Sequence, residues 1–148
     1  MENTIADLLD AIIPRLDTLL RDMRLWMALA SIVGPILFVA LGLFYLKWAP
    51  PEANHKLGYR TYFGMGSVSA WKYTQKLAGK VWTSVGIGLA AVALIGCILL
   101  FVLEPAKATT AALVVLIVEF VAALAAFAAV ELMVLLRYDI NGKKRKKK

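Results

Sequence analysis

The sequence predicts an all-α integral membrane protein with three spanning helices, an N-terminal amphipathic helix and a short interfacial helix in the first loop. Of its 148 residues, 61% are hydrophobic, and the mean hydropathy is +0.72. Soluble domains contain about 45–50% apolar residues. The apolar residues form three long runs, at about 25–46, 81–103 and 111–136. Each run is long enough to cross a hydrocarbon core about 30 Å thick.

The N-terminal segment, residues 1–24, is predicted to be amphipathic, because its apolar side chains recur along one stripe at the helical period. Thr4 and Asp7 provide a capping start. Pro14 removes one backbone hydrogen bond and predicts a kink or a break. Two interpretations remain open. The helix docks onto a protein partner, or it lies on the bilayer beside its own first span.

The membrane domain, residues 25–137, includes an inner loop, residues 47–80, between its first two spans. A double proline ends the first span. Ser67 is positioned to cap a short helix that runs through Gly79, with Trp71 as its anchor in the membrane interface.

The second span carries small residues four apart, Ser84 with Gly88 and Gly86 with Ala90. Small residues let another helix approach closely in lipid. The sequence leaves open whether that helix belongs to the same chain or to another protomer of a homo-oligomer.

Lysine and arginine residues are concentrated on one side of the predicted membrane domain. Of the 17 in the chain, six lie in the first loop and seven in the stretch from Arg137 to the C-terminus. Three spans place this loop and the C-terminus on the same side. The positive-inside rule therefore predicts a cytoplasmic loop and C-terminus, with the N-terminus outside. The basic tail, residues 138–148, is expected to bind anionic lipid headgroups at about 1 kcal/mol per charge, with a protein partner as the alternative.

Two carboxylic acids, Glu119 and Glu131, lie within the third span. A charged acid near the bilayer centre costs at least ~2.5 kcal/mol, so each should be neutral, paired or in contact with water. One hypothesis pairs Glu131 with Arg60 or Lys80, and makes Glu119 a group that binds a proton or a partner. The alternative is a protonated Glu119 that donates a hydrogen bond to a neighbouring helix.

Residues for catalysis or metal binding are scarce. His55 is the only histidine and Cys97 the only cysteine, and no acidic cluster stands at metal-ligand spacing. No serine lies in a nucleophile elbow, and no glycine pattern matches a nucleotide loop. The sequence therefore predicts neither an enzyme nor a cofactor. In a membrane chain, the net charge of +7 also does not indicate a nucleic-acid partner.

The stretch NHKLGYRTYFGMGSVSAW, residues 54–71, suits a folded loop at the membrane boundary, because it mixes glycines with aromatic residues and one arginine. Its spacing NxxxGYRT, with a tryptophan eleven residues after the arginine, resembles the signature of the SdpI family of bacterial membrane proteins. The matching residues are Asn54, Gly58, Tyr59, Arg60, Thr61 and Trp71. The sequence departs from the family pattern at residues 62–67, where Pro, Ser or Thr and a short acidic run are usual, and at Gln75, where His or Asn is common.

The resemblance implies a multi-pass protein of the bacterial inner membrane that does not catalyse a reaction. Known members include immunity proteins that protect a cell from its own killing peptide, so a membrane-active peptide is the implied partner. Arg60 is then the residue expected to take a lipid phosphate or a carboxylate. Two other classes stay open: an accessory subunit that packs on a larger membrane complex, and an ion or proton pathway through Glu119.

Overall fold

Three helices form the bundle in the computed structural model, which describes residues 2–54 and 56–145. They are α1 (Glu2–Lys47), α2 (Val68–Val102) and α3 (Pro105–Arg137). Each contains a segment that is long and apolar enough to span a membrane, namely Asp22–Lys47, Val68–Val102 and Lys107–Arg137. The predicted all-α class with three spans is confirmed.

Helix α1 joins the predicted N-terminal helix and the first span into one element. Pro14 and Pro35 both lie inside it, and the break considered at Pro14 is absent. Each proline removes a single N–H from the hydrogen-bond ladder, while the turns on either side keep theirs. The Thr18 hydroxyl also donates to the carbonyl oxygen of Pro14, at 2.9 Å.

Helix α2 likewise joins the predicted interfacial helix to the second span. Its start is as predicted, because the Ser67 side chain accepts a hydrogen bond from the backbone N–H of Ala70, at 3.1 Å. The helix passes through Gly79 without a break. Gly79 lies against the Leu46 side chain and the carbonyl oxygen of Gly42, so its missing side chain serves packing rather than helix termination.

Helices α1 and α2 approach each other at glycines, which form what we call the glycine seam. A Cβ atom added to Gly42 would lie 2.5 Å from the backbone nitrogen of Thr83, and one on Gly86 would lie 2.8 Å from that of Val39. Gly88, by contrast, faces open space. The helix that approaches the Gly86 edge is therefore α1 of the same chain. The sequence had left open whether this helix belongs to the same chain or to another protomer.

The opposite end of the bundle is closed by a tight turn between α2 and α3. Leu103 and Glu104 connect the helices, and Glu104 forms an ion pair with Lys107 at 3.0 Å. Four buried side chains pack beneath this turn: Ala28, Leu100, Ala108 and Ala112. Because Ala28 already lies level with the turn, most of the α1 residues before it continue past the bundle.

Replacing Gly42 with alanine should loosen the glycine seam. The added methyl group would meet the Thr83 backbone and, at 2.9 Å, the carbonyl oxygen of Gly79, neither of which can move aside without shifting a helix. We expect a loss of about 1–3 kcal/mol, measured as a lower Tm in detergent. Gly88→Ala is the matched control and should not lower the Tm. Equal melting of the wild type and Gly42→Ala would show that the seam is not tightly packed.

Candidate functional site

The residues of the sequence motif fold into one structure at the end of the bundle away from the α2–α3 turn. This structure, which we call the head, consists of residues 48–67, the start of α2 (68–80) and residues 138–145. Asn54 is the first motif residue in this structure. Its side-chain oxygen accepts hydrogen bonds from the backbone N–H groups of Lys56, at 2.8 Å, and Leu57, at 2.7 Å. Asn54 thereby holds a turn that leads the chain into Gly58.

Gly58 lets the loop lie directly on the Trp71 ring. Its φ angle is +107°, and a Cβ atom at this position would come within 2.6 Å of the ring. A positive φ and a close approach both require glycine. Trp71 is fully buried, and its indole N–H donates to the carbonyl oxygen of Pro50 at 2.8 Å. Trp71 therefore ties two separate parts of the loop to α2.

Gln75 binds both backbone groups of Tyr59. The Tyr59 N–H donates to the amide oxygen of Gln75 at 2.8 Å, and the Gln75 amide nitrogen donates to the Tyr59 carbonyl oxygen at 2.7 Å. Gln75 is buried, so these groups would otherwise be left without partners inside the protein. Sequence reasoning noted Gln75 only as a departure from the family pattern and missed this role.

The Tyr59 side chain enters the bundle between all three helices. Its ring centroid lies 5.6 Å from that of Tyr45 on α1, 6.1 Å from Trp82 on α2 and 6.1 Å from Phe127 on α3. Val130 of α3 packs in the same buried cluster. One loop side chain thus joins the head to every spanning helix.

The Tyr59 hydroxyl stays protonated in this setting. Burial raises its pKa above the usual value of 10.0, and the nearby Glu131 carboxyl group raises it further. The Trp82 indole lowers this pKa. Neither the hydroxyl nor the indole N–H has a partner in hydrogen-bonding geometry among the described residues.

The remainder of the loop is a second turn. Thr61 is buried, and its hydroxyl oxygen accepts a hydrogen bond from the N–H of Gly64 at 2.8 Å. Gly64 in turn packs on Thr74 of α2, and Gly66 packs on the backbone around Gly142. Gly64 and Gly66 are therefore the points where this loop touches other parts of the head.

Residues 138–145 of the head, which we call the clip, fold back onto the other parts of the head. The Asp139 carboxylate accepts hydrogen bonds from the N–H groups of Asn141 and Lys143, and the Ser67 hydroxyl donates to the Gly142 carbonyl oxygen at 2.8 Å. Gly142 has a φ angle of +68°. Sequence reasoning treated this segment only as a basic tail, although Asn-Gly is a strong turn signal. Residues 146–148 lie outside the described residues.

The six motif residues thus all belong to the head. The Arg60 side chain is exposed, although Arg60 stands between the buried residues Tyr59 and Thr61. Tyr62, two residues on, is 72% exposed. The head therefore holds an arginine and a tyrosine at its surface on an anchored backbone.

The two intramembrane acids occupy different settings. Glu119 is only 7% exposed, and one of its carboxyl oxygens lies against Gly34 of α1. The other oxygen has no hydrogen-bond partner among the described residues, and the hydrogen bond considered for Glu119 stays a prediction. Glu131 is partly buried beside Tyr59. Glu104 and Lys107 form an ion pair at 3.0 Å, and the pairing of Glu131 with Arg60 or Lys80 stays a hypothesis.

The described residues contain no group of three or more His, Cys, Asp or Glu side chains that could hold a metal ion. His55 lies outside the described residues. The Cys97 sulfur lies 3.9 Å from the Ser31 hydroxyl in the space between α1 and α2.

Comparison with known proteins gives one match. The model of a family described as the SdpI/YfhL protein family matches residues 52–131, which is more than half of the chain. The matched stretch begins in the loop of the head and ends at Glu131. No curated protein and no solved structure matches the chain.

Replacing Gln75 with alanine should release the loop. Both Tyr59 backbone groups would lose their buried partners, at a cost of about 1–3 kcal/mol for each unsatisfied group. We expect trypsin to cleave after Lys56 and Arg60 much faster than in the wild type, as measured by limited proteolysis in detergent. Lys76→Ala changes the exposed neighbour and serves as the control. Unchanged cleavage in Gln75→Ala would show that the amide does not hold the loop.

Proposed function

Because the chain belongs to the SdpI/YfhL protein family, we propose that this multi-span membrane protein binds or senses a membrane-active peptide or partner protein, as immunity-type members do. It acts by binding and not by catalysis. The head presents the binding surface, and the three spans anchor it at the membrane boundary.

Arg60 is the observation that carries this proposal. The hydrogen bonds of Gln75 on one side and the Thr61 turn on the other hold its backbone in place. An exposed guanidinium on an anchored loop can take a carboxylate or phosphate through two parallel hydrogen bonds. Tyr62 beside it adds an aromatic surface with a polar tip, a residue type common at binding interfaces. The pair suits a peptide with an acidic group next to apolar residues.

The charge distribution supports a location in the bacterial inner membrane with the head in the cytoplasm. Residues 47–80 and 137–148 together hold 13 of the chain's 17 lysine and arginine residues, and such residues mark the cytoplasmic side. In this orientation, the N-terminal part of α1 lies outside.

A partner can also contact the spans within the bilayer. Ser84 and Gly88 are exposed on α2, and nothing lies within 4 Å of a Cβ atom added to Gly88. This small-residue edge admits a second helix. Glu119 does not face lipid in the same way, because it is buried against Gly34. A partner would reach that carboxyl only after α1 moved.

Protection should depend on Arg60. Cells that express the chain are challenged with a set of bacterial membrane-active peptides, and survival is compared with cells that lack it. Arg60→Ala should abolish the survival advantage, because it removes the two-pronged contact, and Arg60→Lys should restore little of it. Lys56→Ala is the charge-matched control on the same loop, and membrane levels of each variant are measured. Full protection by Arg60→Ala would remove the loop from the mechanism.

A second function, that of an accessory subunit, is favoured by the N-terminal part of α1. Beyond the α2–α3 turn, this helix exposes apolar side chains that the other described residues do not cover: Ile12, Ile13, Leu16, Leu19 and Met23 are each between 43% and 59% exposed. Such a stripe favours burial against another protein.

Purification at native expression level in a gentle detergent separates the two functions. An accessory subunit should co-elute with a large complex and lose it when Ile12 and Leu16 are both replaced by aspartate. An immunity-type protein should elute as a small particle, and the same double variant should still protect. Elution of the wild type as a small particle would contradict the accessory function.

A further inference from the structure

The clip and the end of α3 enclose a groove with basic walls. Its volume is about 590 Å³, and it is lined by Leu136, Arg137, Lys144 and Arg145. We propose that this groove is a specific site for the phosphate headgroup of an anionic phospholipid. The site is separate from the surface around Arg60, and it does not depend on the proposed function.

The fold holds the groove's cations in place. The Arg145 N–H donates to the carbonyl oxygen of Arg137 at 2.9 Å, and its Nε donates to that of Tyr138 at 3.2 Å. The Arg137 guanidinium lies 4.3 Å from the centre of the Tyr73 ring. An isolated bridge pairs Lys144 with Tyr138. Because these residues are ordered before a ligand arrives, binding costs less conformational entropy than it would in a mobile tail.

Lipid is the occupant that the position of the groove favours. Leu136 forms part of its lining and is 65% exposed, and Leu132, one turn farther into the span, is 54% exposed. Cationic groups therefore stand at the level of headgroups, directly above an apolar face at the level of acyl chains. A soluble anion would use the cations and leave the leucines without a role.

The groove needs several cations because it lies at the carboxyl end of α3. The carbonyl groups there carry a partial negative charge, which repels an anion. Arg137 stands in the last turn of the helix and Arg145 returns to it, so both oppose this repulsion. The folded clip is what brings Lys144 and Arg145 to the end of the helix.

Gly142 distinguishes a folded site from a basic run that binds lipid through its charge alone. A Cβ atom at Gly142 would collide with the backbone of Gly66 and with Ser67, where the nearest atoms include the Ser67 nitrogen at 2.5 Å. Gly142→Val therefore detaches the clip but leaves every positive charge in the chain. A site built by the fold loses its lipid in this variant, whereas a polybasic tail keeps it.

The test is native mass spectrometry of the full-length chain in detergent, with phosphatidylglycerol and phosphatidylcholine offered together. The wild type should retain phosphatidylglycerol preferentially. Lys144→Ala with Arg145→Ala should lower that retention on the order of tenfold, and Gly142→Val should lower it similarly. The matched control, Lys56→Ala with Lys143→Ala, removes two exposed charges of the head that do not line the groove. It should change retention by less than about twofold.

Three results would overturn the proposal. The first is an equal loss of phosphatidylglycerol from the groove pair and the control pair, which would mean that only total charge matters. The second is full retention by Gly142→Val when circular dichroism shows its helices intact. The third is displacement of the lipid by inorganic phosphate, which would make the groove a site for soluble anions. If Gly142→Val does not fold, the comparison of the two pairs decides alone.

Discussion

The contact of Gln75 with the backbone of Tyr59 is the constraint on which the head depends. An amide side chain carries a donor and an acceptor at one end, so a single glutamine matches both backbone groups of one residue. The loop backbone can then be buried without an unsatisfied N–H or C=O. Only with the backbone buried can the Tyr59 ring reach between Tyr45, Trp82 and Phe127. The conformation of the loop and the packing of the bundle therefore depend on the same contact between Gln75 and Tyr59.

Glycine at close contacts is the common feature of the bundle and the head. In lipid, helices gain little from hydrophobic burial against each other, so close van der Waals packing must hold them together. Gly42 and Gly86 supply it between α1 and α2. In the head, Gly58 lies on Trp71 and Gly66 lies on the backbone beside Gly142. The middle of α2 and the region around its start thus rely on the same close approach at glycine, first between helices and then within the head.

Two polar features of the bundle interior lie close together, at Pro35 of α1 and at Glu119 of α3. Pro35 has no N–H, so the carbonyl group of Ser31, one turn earlier, lacks its helical donor. The buried carboxyl group of Glu119 lies against Gly34 in the same turn of α1. The Ser31 carbonyl group, which lacks its helical donor, and the Glu119 carboxyl group therefore lie in the same region between α1 and α3.

The sequence by itself determined the spans, the cap at Ser67 and the folded loop at residues 54–71. Long apolar runs, capping residues and glycines act locally, so the sequence alone reveals them. The sequence also contains the turn signal Asn141-Gly142, which the prediction of a basic tail did not take into account. Tertiary structure alone decided that Gln75 binds Tyr59, that α1 and α2 are unbroken, that Glu131 lies beside Tyr59 and that the basic tail is a clip. These outcomes depend on groups far apart in the chain, such as Ser67 and Gly142. Pairing of buried backbone groups, as by Gln75, and close packing between segments bring these groups together, and composition and spacing reveal neither.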